Sequence, residues 1–188
     1  MIHTLDIGSY SIPFKVPGSQ LERKALHYFC TSAAVTFSGY LASDFWEYHI
    51  LQRCQREPVV RAAVVAVSLL HLEYATAEET AADGTLHHVG PDTLGRYFLA
   101  IGKLRRYINN ISTASSPSAT TVLTCCALFV CFDLMRGKHQ EALGHIQSGS
   151  AVLRSWLGES FGQQHYSRND AEHSGTLNAF LCLDLQAT

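Results

Sequence analysis

Apolar residues recur at three- and four-residue steps along most of this 188-residue chain, the interval that gathers side chains on one face of a helix. The first run starts at Ser19, where Glu22 three positions on completes a capping box. Its stripe is Leu21, Ala25, Tyr28, Phe29, Ala33 and Phe37, and Gly39 ends it. Ser43 caps a second helix, Asp44 sets a negative charge against the positive end of the helix dipole, and Trp46, Ile50 and Leu51 supply the buried side. Pro58 then opens a third helix at a position where its missing amide costs nothing. That helix, VVRAAVVAVSLLHL, is apolar around most of its girth and needs neighbours on several sides.

Beyond it, residues 78–90 read as a loop, and Pro91 with Asp92 starts a helix whose stripe is Leu94, Phe98, Ile101, Leu104 and Ile108. A turn-rich tract, 112–119, precedes an apolar helix around Cys125 that Gly137 breaks. The next helix aligns Ala142, Ile146, Gly149, Leu153 and Trp156, with small residues at 142 and 149 for close approach and Gly158 as its stop. Residues 159–175 are polar and aperiodic, and a last helix begins near Thr176. The predicted fold is all-α, a multi-helix orthogonal or antiparallel array of about seven helices. A lead over 1–18 precedes a helical domain over 19–188.

Composition narrows the function. The chain is 47% hydrophobic and 16% charged, enough for a real core in one domain. Fourteen basic against sixteen acidic residues give a net charge of -2, so the field that draws proteins to nucleic acid is lacking. Arg96, Lys103 and Arg106 share one side of their helix, and a solvated face is the first reading of such a group. The first residues show neither a secretory signal nor an anchor, and the longest apolar segment, 122–132, is well short of the roughly 20 residues that span a bilayer and is followed at once by Asp133; both place the chain inside the cell.

Chemistry is sparse. Cys30, Cys54, Cys125, Cys126, Cys131 and Cys182 form no C-x-x-C pair and no tight cluster, so they read as buried thiols of a reducing compartment and not as zinc ligands. His87 and His88 fall in a loop, and His139 and His145 stand six apart, off the spacing that aligns two imidazoles on a helix; all read as solvated or packing residues. No nucleophile elbow, phosphate loop or dinucleotide loop occurs, and Glu78 and Glu79 lie at a loop edge without paired carboxylates on a helix. No catalytic, cofactor-binding or metal residue is assigned, no cofactor is expected, and an enzyme is disfavoured.

In order and spacing these elements resemble the fungal-specific transcription factor domain, the helical region that follows the binuclear zinc cluster in fungal regulators. The resemblance starts at Gly18, Ser19, Glu22 and Arg23, continues through the pair Tyr28 and Phe29, and reaches Ser38, Gly39, Asp44, Phe45 and Trp46. Glu57, Pro58, Val60, Arg61, Leu70 and His71 follow the family's acidic-proline start and Leu-His close. Tyr97, Leu104 and Arg105, then Phe129, Phe132, Gly137, Ala142, His145, Gly149 and Leu153, and finally Leu183 to Gln186 extend the likeness over nearly the whole chain.

The resemblance implies a regulatory, non-DNA-binding helical region of a zinc-cluster RNA polymerase II regulator, located in the nucleus and working through protein partners, self-association or a small effector. Zinc would belong only to the family's cluster. The chain is expected to start downstream of that cluster and to hold the first half of the domain. Phe180, Leu181, Leu183 and Leu185 would then lack their usual cover, which favours self-association. A helical interaction scaffold without a transcriptional role is the alternative, and an all-helical enzyme ranks below both.

Overall fold

The structure, a computed structural model, describes residues 18–39, 45–80, 89–109 and 118–160. All regular structure among them is helical: α1 (Gln20–Tyr28), a π turn (Phe29–Ala33), α2 (Ala34–Ser38), a second π turn (Phe45–His49), α3 (Ile50–Arg56), α4 (Pro58–Thr80), α5 (Pro91–Asn109), α6 (Ala119–Met135) and α7 (His139–Ser160). The π turns run on into their flanking α-helices, so these segments form six rods. The seventh helix expected from Thr176, with Phe180, Leu181, Leu183 and Leu185, lies outside the described residues, as do Ser43, Asp44, His87, His88 and Cys182.

At the first rod the Ser19 hydroxyl accepts from the Glu22 amide at 3.2 Å, and the Glu22 carboxylate accepts from the Ser19 amide at 2.7 Å, so the capping box is present. The Ser19 amide bond holds the Glu22 carboxyl below its usual range. Ala25, Phe29, Ala33 and Phe37 are buried, whereas Leu21, expected on that face, is exposed. Four-residue steps drift by about 40° each on an α-helix. The π turn, closed by the Ala34 amide on the Phe29 carbonyl, holds more residues per turn and takes that drift back, so all four stay on one face. Phe37 packs at 4.9 Å on Trp46, which also meets Phe45 edge-on.

Pro58 opens α4, as its sequence predicts, and Val59, Val60, the unbroken run from Ala63 to Ser68, and Leu70 are buried. Helices α1, α3, α5 and α6 surround it. By length and composition 58–77 would also span a membrane, so 122–132 is not the chain's longest apolar stretch, but half of that window is buried among its neighbours, as in a core helix. Arg61 closes the turn before α4, with Nε and Nη2 donating to the carbonyls of Cys54 and Gln55 at 2.9 and 3.1 Å. Helix α6 is the second core rod, buried from Thr120 to Val130 and again at Phe132 and Asp133.

Several boundaries and one face differ from the sequence reading. Helix α4 continues through Glu78, Glu79 and Thr80, Ala119 is already helical behind its cap Ser118, and α7 passes through Gly158 to Ser160. Glycine inside a helix costs only about 1 kcal/mol, which packing along the rest of α7 outweighs. The buried face of α5 is Thr93, Tyr97, Ala100 and Leu104, while Phe98 is 63% exposed and Ile108 also reaches solvent. Ala142, Ile146, Gly149 and Leu153 are buried on α7 as expected, with Trp156 half-buried.

Gly137 ends α6 with φ +68°, its amide donating to the Leu134 carbonyl at 2.9 Å while the Lys138 amide donates to the Asp133 carbonyl at 2.8 Å. Gly137→Ala is expected to lower stability by about 1 kcal/mol, because the left-handed region penalises a Cβ, and Phe129→Ala by about 3 to 5 kcal/mol through the cavity it leaves. Urea denaturation monitored by circular dichroism checks both.

Candidate functional site

The turn at Gly137 places Asp133 where α5, α6 and α7 meet. Its carboxylate is 1% exposed. Oδ2 accepts from Tyr97 Oη at 2.6 Å and lies 3.4 Å from His145 Nε2, and Oδ1 lies 3.4 Å from Arg136 Nη1. His145 Nε2 also stands 3.0 Å from Tyr97 Oη, so phenol, carboxylate and imidazole form a closed triangle. The Tyr97 ring stacks on Phe132 with centroids 4.1 Å apart and planes 4° from parallel, and meets Phe129 at 90°. His145 leans on Phe129 at 5.2 Å, and the Arg136 guanidinium sits 5.5 Å from the Phe132 centroid.

Burial pushes the Tyr97 phenol well above its ordinary range, and the hydrogen bond and charge of Asp133 push it further. The phenol therefore remains a donor. A carboxylate cut off from water costs several kcal/mol unless paired and hydrogen-bonded. Here the phenol, the guanidinium and the imidazole supply those partners. The same three groups occupy the carboxylate and join α5, α6 and α7 through it.

Two smaller polar joints resemble it in kind. Tyr28 Oη meets His71 Nδ1 at 2.8 Å between α1 and α4. Glu73 on α4 accepts from Thr93 Oγ1 at 2.5 Å and from the Gly90 amide at 3.1 Å, tying down the start of α5. Arg96 lies 3.5 Å from Glu22, an ion pair linking α5 to α1, so one of the three cations read as a solvated group is tethered. A groove of about 310 Å³, lined by Gln20, Leu21, Lys24, Ala25, Leu69 and Leu72, opens on the α1–α4 side, away from the triangle.

The described cysteines are all free thiols. Cys54, Cys125 and Cys126 are buried, and burial pushes Cys54 and Cys126 up to about 12, while Cys30 is exposed, contrary to the expectation of a packed thiol. Cys30 stands on the π turn, with its neighbour Phe29 taking the buried position. Among the described residues no group of three or more Cys, His, Asp or Glu could hold a metal ion, so these residues do not fit a zinc cluster. His139 is exposed and His145 is half-buried in the triangle, so a packing role holds for the second only. Sequence reasoning noted Asp133 only as the charge that closes an apolar run. That position was itself the available signal, since an acid fused to a wholly apolar helix must find partners inside the fold.

Residues 24–187 match the family described as the fungal specific transcription factor domain, and the chain belongs to that family. No curated protein and no solved structure matches the chain. The family is one of transcription factor domains and not of enzymes, which suggests a role in transcription regulation.

Tyr97 also marks the alkaline limit of the fold. Its raised value means that the folded state keeps the neutral phenol, so the stability it contributes is fully present below the unfolded value of 10.0 and is lost as pH rises from there toward the folded value. Tyr97→Phe is expected to cost about 1 to 3 kcal/mol at pH 7 by leaving Asp133 a donor short. It should also make the loss of stability above pH 10 shallower than in the parent chain, as read from urea midpoints at stepped pH.

Proposed function

We propose that this chain, as a member of the fungal-specific transcription factor domain family, is the regulatory helical region of a zinc-cluster regulator of RNA polymerase II transcription, acting in the nucleus without itself binding DNA or catalysing a reaction. The match over residues 24–187 is the observation that carries this reading. The net charge of -2 fits a region that leaves DNA contact to another part of a regulator. The occupied state of Asp133, Tyr97 and His145 fits a structural role for a cluster whose residue types could be mistaken for catalytic machinery. Protein contact is the mode of action favoured by the surface, where Val35, Tyr48, Phe98 and Leu99 stand out from the helices. Zinc is not assigned to this chain.

Fusion of the full chain to a heterologous DNA-binding module should change expression of a reporter carrying that module's site, up or down, relative to the module alone. The fluorescently tagged fusion should be nuclear. A reporter indifferent to the fusion, with the protein folded and nuclear, would leave the interaction scaffold without a transcriptional role as the better reading.

A further inference from the structure

The outward face of α5 is built unlike the other helix surfaces. Phe98, 63% exposed, and Leu99, 41% exposed, sit side by side on it. Gly95 lies one turn before them and Gly102 one turn after, and Arg105 and Arg106, both exposed, follow a heptad beyond the apolar pair. At about 100° per residue all six fall within one broad side of the helix. That side is turned away from the packed face of Thr93, Tyr97, Ala100 and Leu104.

The fold makes no use of either glycine. A Cβ built at Gly95 or at Gly102 meets nothing within 4 Å, so alanine would fit at both. Mid-helix glycine costs about 1 kcal/mol against alanine. Beside a bulky exposed pair, two such gaps let a second helix come close. The charge on α5 is one-sided: Asp92 in the first turn is its single acid, against Arg96, Lys103, Arg105 and Arg106. Arg96 is drawn toward Glu22, and the Arg106 Nε donates to the Gly102 carbonyl at 3.2 Å, which lays its side chain back along the face.

We propose that this face of α5 docks an amphipathic helix of a partner protein, its apolar side over Phe98 and Leu99 between the two glycines, and its acidic residues against Arg105 and Arg106. This rests on the reading of the domain as one that works through protein contacts, and it names the surface and the chemistry of the partner. Charge complementarity selects an acidic helix over a second copy of this chain: packed in parallel, two such faces would set arginine against arginine, and packed antiparallel they would offer the arginine pair only the single acid Asp92.

The test uses the full chain and a labelled synthetic helical peptide with leucine and alanine on one side and a glutamate pair at one end, compared with the same peptide carrying lysine in place of glutamate. Fluorescence anisotropy should show the acidic peptide binding about tenfold or more tightly, with the gap narrowing as salt is raised. Phe98→Glu should remove binding while leaving the melting temperature unchanged within a few degrees, since the residue is exposed. The paired substitution Gly95→Ala with Gly102→Ala should raise the melting temperature and weaken the peptide, two effects of opposite sign that a purely structural role of the glycines would not produce together. A benzoylphenylalanine at position 99 should crosslink to the peptide. Equal affinity for both peptides, no binding, or full binding by the alanine pair overturns the proposal. Crosslinks into a second copy or into residues 161–188 of the same chain also overturn it, by identifying another occupant. Any of these can occur while the reporter effect stands, in which case the domain uses a different surface.

Discussion

A helix that is apolar around most of its circumference can exist in water only inside a ring of other helices, and α4 imposes that condition on this fold. Its residues from Val59 to Leu70 are mostly valine and alanine, small enough for neighbours to approach on several sides. Helices α1, α3, α5 and α6 take those sides, and α7 then covers α6. Apolar burial is non-directional, so it fixes which helices touch without fixing how far each slides along its neighbour. The polar joints supply that second specification: Tyr28 with His71 for α1, Glu73 with Thr93 for α5, and Asp133 with Tyr97 and His145 for the meeting of three helices.

The Asp133 joint also bears on function. Tyrosine, carboxylate and histidine stand within hydrogen-bond reach of one another there. The carboxylate is sealed, both its oxygens face protein donors or cations, and the phenol is held neutral. What the triangle does supply is a single defined seating of α7 on α5 and α6, the kind of rigidity a surface needs if it is to present the same face to a partner each time.

Much of this was legible in the sequence, because caps and breakers act locally. Ser19 with Glu22, Pro58, Pro91 and Gly137 each sit where the chain's own chemistry starts or stops a helix. The missed features depend on distant residues. Of the α5 stripe Leu94, Phe98, Ile101, Leu104 and Ile108, Leu104 is buried and Leu94 and Ile101 pack against the core, but Phe98 and Ile108 face out, and Thr93 and Tyr97 turn inward with Glu73 and Asp133, 20 and 36 residues away in sequence, accepting their hydroxyls. Apolar counting cannot see a buried hydroxyl whose partner lies on another helix. Gly158 failed as a stop for a related reason: a glycine ends a helix only when the chain adopts the turn that needs it, as it does at Gly137. The family, by contrast, was recoverable from residue order alone, since resemblance sums many weak local signals.

The π turn from Phe29 to Ala33 has a genetic reading as well as a geometric one. A turn closed from the Ala34 amide to the Phe29 carbonyl is an α-helical turn into which one residue has been inserted. Loss of a single codon between positions 29 and 33 would restore an uninterrupted α-helix and leave the reading frame of the rod intact. Phe37 would then stand seven residues after Phe29 on a regular helix, two turns less about 20°, and would keep its side toward Trp46. The first rod is therefore a single apolar face carried in phase across one inserted residue.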